Sequence, residues 1–317
     1  MNVAILGGAG FIGSHLVDRY LRDGHRVIAV DNLCTGSLAN LADAFGYETF
    51  SFFEADVTRA IPVDGPLDLI LHFASPASPV DYARLAVETL AVNSRGTQLA
   101  CDLAEARQAR LVFASTSEVY GDPLVHPQTE AYWGNVNPVG PRACYDEAKR
   151  FGEALITTRL RVGGLDARIV RIFNTYGPRM GFADGRVIPN LLTQVLTGQP
   201  LTIYGNGEQT RSFIYVDDLV EGIVRLAAHD LVRGAVVNLG RPDEFTILDA
   251  ARLVAEVAGV PLVTEPRPLP QDDPARRCPD ITLARNLLGW EPRVALRDGL
   301  ERTIAWWRER PELTSAS

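Results

Sequence analysis

The chain has 317 residues, 46% of them hydrophobic and 22% charged, a balance that excludes a disordered chain and predicts a globular protein of two lobes. Its formal net charge of −8 argues against nucleic acid as the main partner, although a local arginine cluster can still receive an anionic ligand. No apolar run approaches the roughly 18 residues of a membrane span, and Asn2-Val3-Ala4-Ile5-Leu6 opens the chain without a basic leader, so a cytoplasmic protein is expected.

In chain order, short apolar runs at Val3–Leu6, Val27–Val30, Leu67–Phe73, Leu111–Ala114 and Ala167–Ile172 read as strands. Helical patterns lie between them at Phe11–Asp23, Asn93–Gln108 and Tyr145–Val162. This alternation predicts βαβ units, hence an α/β fold: a doubly wound parallel Rossmann sheet with a smaller mixed α/β substrate domain. The pattern breaks after Asn174. Two later pieces are expected to rejoin the sheet: the helix after Tyr215-Val216-Asp217-Asp218, and the strand Ala235–Leu239. The expected division is therefore 1–173 plus about 211–240 for the first lobe, and 174–210 plus about 241–317 for the second. Trp306 and Trp307 fall on a C-terminal amphipathic helix and are expected to pack into a core; the tail from Pro311 is expected to fray. Cys34, Cys101, Cys144 and Cys278 form no CxxC, and the five histidines lack ligand spacing. Neither a disulfide framework nor a metal site is predicted.

The run Gly7-Gly8-Ala9-Gly10-Phe11-Ile12-Gly13 follows the first strand and opens the first helix. A glycine cluster alone is weak, but strand, tight turn and helix are the context a dinucleotide pyrophosphate needs. The GxxGxxG spacing points to the short-chain dehydrogenase variant. Asp31 ends the second strand, with Asn32 behind it. A carboxylate there accepts from the ribose hydroxyls and repels a 2′-phosphate, so NAD is expected rather than NADP. Asp56, followed by Val57 after the third strand, is a candidate acceptor for the adenine amino group.

Tyr145 and Lys149 stand at i and i+4 of a predicted helix, on one face. Lys149 is the single lysine of a chain with 30 arginines, although a chance survival carries little weight by itself. An ammonium near the phenol favours its ionised form, which can then take a hydroxyl proton. Thr116 ends the fifth strand 29 residues before Tyr145 and can bond the same oxygen. Ser117 and Glu118 follow it, where open α/β sheets place ligands. Glu118 is expected near the group undergoing change, against the plainer reading of a turn carboxylate. A Ser117 hydroxyl is a poor general acid at neutral pH, which argues against elimination of a hydroxyl.

With these motifs the chain resembles the extended short-chain dehydrogenases that act on nucleotide sugars, and more closely the UDP-glucuronate decarboxylases, or UDP-xylose synthases. The resemblance rests on His72-Phe73-Ala74-Ser75-Pro76-Ala77-Ser78-Pro79, on 115–150, on 171–180, on 205–213, on 271–280 and on Leu288-Gly289-Trp290-Glu291-Pro292. It implies bound NAD, with Phe73, Ala74, Ser75 and Asn93 at the cofactor. It implies C4 oxidation of UDP-glucuronic acid, loss of carbon dioxide from the resulting β-keto acid, and re-reduction to UDP-xylose. Glu118 and Arg277 match residues around the departing carboxylate; which group reprotonates C5, or whether a water does, stays open. Arg179 and Arg211 match the pyrophosphate side of the substrate, and Asn174, Tyr204 and Gln209 sit in matching substrate motifs. A homodimer is implied, through Asn93–Gln108 and Tyr145–Val162. The alternatives are a decarboxylase that stops at the UDP-4-keto-pentose and releases NADH, a related epimerase or dehydratase, and a non-catalytic NAD sensor.

Overall fold

Parallel strands covered on both faces need apolar side chains on both sides, and this is why the strand runs read as nearly continuous apolar stretches. The computed structural model describes residues 1–269, 274 and 276–310; Gln271, Asp272, Asp273 and Ala275 of the 271–280 motif, and the tail from Pro311, lie outside the described residues. The first half contains β1 (Asn2–Leu6), α1 (Phe11–Arg22), β2 (Arg26–Asp31), β3 (Phe50–Glu54), β4 (Leu69–His72), α2 (Pro79–Arg84), α3 (Ala86–Ala91), α4 (Thr97–Arg107), β5 (Arg110–Thr116), α5 (Ala143–Val162) and β6 (Asp166–Ile172). Then come β7 (Thr175–Tyr176), α6 (Val187–Leu196), β8 (Leu201–Tyr204), β9 (Thr210–Ser212), β10 (Ile214–Tyr215), α7 (Val216–Ala228) and β11 (Val236–Leu239). The last are β12 (Glu244–Thr246), α8 (Ile247–Ala258), β13 (Thr264–Arg267), β14 (Arg276–Arg277), α9 (Thr282–Leu288) and α10 (Leu296–Arg308).

Seven parallel strands form the main sheet in the order β11-β6-β5-β4-β1-β2-β3. Strand order reverses between β1 and β4, which opens a crevice at their carboxyl ends. Alternation splits each strand between two cores. Val3 and Ile5 pack with Leu16, Val17, Leu219 and Ile223 on the α1–α7 side. Ala4 and Leu6 pack with Ala100, Ala104 and Ile156 on the α4–α5 side. As expected, α7 and β11 return to this sheet.

Two details differ from the sequence reading. The helix expected from Asn93 begins earlier, as α3, and passes through a π turn at Val92–Gly96 before α4. The wider turn accompanies a fixed position for Asn93, whose Nδ2 donates to Thr89 O and to Ser75 Oγ, both at 2.9 Å. The second difference is at 210–212: β9 pairs with β12 and β14 in a small sheet, so the chain turns back toward the main domain only after Arg211 and Ser212.

The second lobe is tied down at Asp218 on α7. Its Oδ2 accepts from Arg293 N and Val294 N, and its backbone oxygen accepts from Trp290 Nε1 at 2.9 Å. Trp307 is buried and meets Phe182 edge-on at 4.4 Å, the core role expected of it.

Beneath the carboxyl end of β5 lies a buried polar network. Arg171 donates to both oxygens of Glu153, at 2.9 and 2.7 Å, and Nη1 donates to Tyr120 Oη at 2.9 Å. Ser115 Oγ donates to Glu153 at 2.6 Å. The network locks β5, β6 and α5 together one residue below Thr116. Removing one member of a buried pair leaves a charge unpaired and costs about 3–5 kcal/mol. We therefore expect Arg171→Leu to lose about 3 kcal/mol in urea unfolding, and Arg171→Leu/Glu153→Leu to lose less than the sum of the single variants. Additive losses would contradict the network.

Candidate active site

The glycine loop closes by contacts that exclude any side chain. Gly7 has φ +82°, and a Cβ there would sit 2.6 Å from Ala74 N; a Cβ on Gly13 would sit 2.0 Å from Gly7 O. The loop therefore brings the start of α1 against the end of β4. Gly10 caps α1 without a side-chain hydrogen bond, which leaves the first N–H groups facing the crevice, as a pyrophosphate requires.

The crevice is lined by Gly7, Gly10, Asp31, Asn32, Asp56, Val57, Phe73, Ala74 and Ser75, and also by Cys34, Thr35, Thr58 and Glu88. Asp31 is 8% exposed, and its two oxygens accept from Ala9 N at 3.0 Å and Leu33 N at 2.9 Å. A carboxylate has about four lone-pair sites, so capacity for ribose hydroxyls remains. Asp56 Oδ1 accepts from Thr58 N and Oγ1 at 2.9 and 2.8 Å. Phe11, Ile12 and Gly13 form the first turn of α1 behind the loop. Asn93 is buried below Ser75 with its Oδ1 unpartnered among the described residues. These features fit an adenine dinucleotide.

At the other end of the crevice the 20-residue α5 presents Tyr145 and Lys149 toward β5. Tyr145 hydrogen-bonds the Thr116 side chain, and Thr116 Oγ1 accepts from Glu118 N at 3.2 Å. Tyr82 of α2 stacks on the Tyr145 ring at 5.1 Å with an interplanar angle of 8°. Burial pushes the Tyr145 phenol up to about 12; the Thr116 hydrogen bond and Arg186 pull it down, while Glu118 and Asp146 push it up. The ammonium expected to do this work stands further back. Lys149 Nζ donates to Ala114 O at 2.8 Å, lies 5.1 Å from the Phe113 ring centre and 5.8 Å from that of Tyr145. Burial lowers Lys149 to about 7. The cation that acts on the phenol is Arg186, held by Asp184 through two bonds of 2.6 Å.

Beside Tyr145 lies a cavity of about 280 Å³ lined by Glu118, Gly121, Asp122, Asn135, Val136, Asn137, Arg142, Asp146 and Arg277. Glu118 forms a short hydrogen-bonded ion pair with Arg142, and Arg277 Nη2 lies 3.5 Å away. Arg277 is 1% exposed and donates to Ser117 O and, at 2.8 Å, to Gly121 O. Register places Arg211 of β9 directly beside Arg277 of β14. Burial raises the Glu118 carboxyl, but Arg277, Arg142 and Arg211 outweigh it and hold it well below the usual carboxylate range. Ser117 is buried, with Oγ 3.5 Å from Glu118 Oε1.

The structure thus brings Thr116, Ser117, Glu118, Tyr145, Arg211 and Arg277 together. Arg179 stands elsewhere: at φ +69° its guanidinium pairs with Asp18 of α1 at 2.6 Å. Gln209 Nε2 donates to Tyr204 O at 2.8 Å in the turn between β8 and β9, and Asn174 O accepts from Ile214 N at 2.9 Å. Sequence reasoning missed Tyr82, Arg142, Asp146 and Arg186. One signal was available for two of them: Arg142 and Asp146 stand at i and i+4 beside Tyr145 on the same helix.

Comparison with known proteins agrees with this geometry. The family model described as "NAD dependent epimerase/dehydratase family" matches residues 3–240. A UDP-glucuronic acid decarboxylase 1 of Xenopus tropicalis is 48% identical over 98% of the chain and 73% of its own length. A UDP-glucuronic acid decarboxylase 4 of Arabidopsis thaliana is 50% identical over 98% of the chain and 69% of its own length. A Bacillus cereus UDP-glucuronic acid 4-epimerase, solved with UDP-glucuronic acid and NAD, superposes with a TM-score of 0.86 at 26% identity, covering 98% of this chain and 99% of its own. The chain belongs to the NAD-dependent epimerase/dehydratase family and, within it, to the UDP-glucuronic acid decarboxylases. No described helix is long and apolar enough to cross a membrane.

The buried Lys149 has a measurable consequence. Its folded pKa lies below the roughly 10.4 of free lysine, so between about pH 7 and pH 10 the unfolded chain binds more protons and stability rises with pH. Ligand-free Lys149→Met is expected to be more stable than wild type near neutral pH by about 1 kcal/mol or more, with the gap closing toward about pH 10. Urea unfolding at both values checks this; a variant weaker than wild type at neutral pH would contradict it.

Proposed function

We propose that the chain converts UDP-glucuronic acid to UDP-xylose and retains its NAD through the cycle. The observation that carries this reading is the cavity beside Tyr145, where the guanidinium groups of Arg142 and Arg277 converge on Glu118. Two arginines fixed at one end of a cavity suit a sugar carboxylate, which accepts charge-assisted hydrogen bonds from them that a neutral hydroxymethyl group cannot match. Bound NAD supplies the hydride exchange at sugar C4, before and after carbon dioxide leaves.

The residues supply the rest. Tyr145 exchanges the proton of the C4 hydroxyl. Thr116 donates to the same oxygen, and the two steady the enolate that forms as the carboxylate departs. Tyr82 fixes the tyrosine ring by stacking. Arg142 and Arg277 receive the carboxylate at C5, and Glu118 holds both guanidinium groups in place. During decarboxylation negative charge moves from the arginine side of the cavity toward Thr116 and Tyr145. Arg211, Gln209, Tyr204 and Asn174 lead away from the cavity and suit the nucleotide end of the substrate. Arg179 would have to exchange Asp18 for a phosphate to take part.

Incubation of the purified protein with UDP-glucuronic acid and NAD, followed by NMR and NADH absorbance, tests the reading. UDP-xylose without net NADH is the expected result. A 4-keto-pentose with equal NADH would remove the final reduction from the cycle, and a C4 epimer or no turnover would remove the decarboxylation.

A cytoplasmic homodimer belongs to the same proposal. Val87 and Leu90 on α3 are 74% and 46% exposed, and Phe151 on α5 is 51% exposed. The apolar face therefore lies on α3 and α5 rather than on the α4 segment expected from sequence. Light scattering should give a dimer mass for wild type and a monomer for Phe151→Glu; an unchanged dimer would place the interface elsewhere.

A further inference from the structure

Replacing a carboxylate at C5 by hydrogen requires a proton donor in the cavity. Glu118 is held ionised by three arginines. Arginine stays protonated at any working pH. Tyr145 and Thr116 serve the oxygen at C4, and a serine hydroxyl is a poor acid. Of the two other lining carboxyl groups Asp122 is exposed, which leaves the buried Asp146.

Asp146 follows Tyr145 on α5 and lines the same cavity as Glu118, Arg142 and Arg277. Its side chain is 8% exposed. Oδ2 lies 3.9 Å from Arg142 Nε, beyond hydrogen-bond reach, and Oδ1 has no hydrogen-bond partner among the described residues. An ionised carboxylate buried with so little support is costly, whereas the protonated acid carries less charge to desolvate. The facing groups act in both directions. Burial and Glu118, from the turn after β5, favour the acid form, as does Glu147 on the same helix; Arg142 at the start of α5 and Arg277 on β14 oppose them. The balance is upward, away from the usual aspartate range.

We propose that Asp146 is the acid that reprotonates sugar C5 after carbon dioxide leaves, a role that rests on the reaction proposed above. In the 4-keto intermediate the C5–carboxylate bond breaks, and its electron pair forms the C4–C5 enolate. The Asp146 O–H bond then breaks, the enolate pair forms the new C5–H bond, and the C4 carbonyl is restored. Asp146 is left as a carboxylate and regains a proton from water before the next turnover. Two neighbouring carboxyl groups thus take opposite states, one ionised to hold arginines and one protonated to give up its proton.

The test is a single turnover of UDP-glucuronic acid on NAD-loaded wild type, Asp146→Asn and Asp146→Glu, following NADH absorbance and NMR-detected product across pH. Asp146→Asn is expected to form NADH within about twofold of wild type, while consumption of the intermediate slows by about a hundredfold or more. The fall in the wild-type rate of that step as pH rises through the Asp146 titration should vanish in Asp146→Asn and reappear, shifted, in Asp146→Glu. Equal slowing of both steps would indicate a structural role and overturn the proposal, as would no slowing. If Asp146→Asn does not fold, an unshifted pH limb in Asp146→Glu overturns it and a shifted one supports it. A wild type that forms no decarboxylated product would sink the underlying reaction first, which separates the two failures.

Discussion

The Glu118 carboxylate is the constraint on which the site depends. It is half-buried, ionised and hydrogen-bonded to Arg142, with Arg277 beside it and Arg211 next to Arg277. These arginines come from the start of α5 and from two strands of the small sheet. Glu118 itself lies in the turn that follows Thr116. One acidic side chain therefore draws together β5, α5 and the second lobe at the point where a substrate must sit. Without it, three guanidinium groups would repel one another in a cavity that offers them little water. With it, they are fixed and can still donate to an anion.

The neighbouring Tyr145–Lys149 pair shows the opposite economy. Lys149 is buried against Phe113 with one backbone oxygen as its partner, and its ammonium is held below its ordinary range. Tyr145 is buried and pushed up. The cationic ring of the oxidised cofactor and an anionic substrate would alter the field around each of them. The Arg171–Glu153–Ser115 network below holds their strand and helix in register.

The main sheet was legible because its physics is local: strands buried on both faces leave apolar runs, and amphipathic helices leave a period between them. The glycine loop, Asp31 and the Tyr145–Lys149 spacing were legible for the same reason, since each motif sits within one turn or helix. Arg277 and Glu118 are 159 residues apart in sequence, and only resemblance to a family suggested their association. Arg142 and Asp146 went unread because an arginine and an aspartate on a helix surface ordinarily face solvent. Their roles appear only once the 121–137 segment and β14 close over them. The π turn at Asn93 was invisible because it interrupts the helical period that the sequence reading relied on. The pairing of 210–212 was not legible because its partners, β12 and β14, are distant in sequence.

The charge of the Glu118 cavity can be measured without catalysis. Calorimetry on NAD-loaded Tyr145→Phe, comparing UDP-glucuronic acid with UDP-glucose, reads the contribution of the sugar carboxylate alone. The account predicts that the acid binds at least about tenfold more tightly, a difference of about 1.4 kcal/mol, and that Arg142→Gln removes most of the preference. Equal affinity for the two sugars would contradict it, because the arginines around Glu118 would then have no anion to receive.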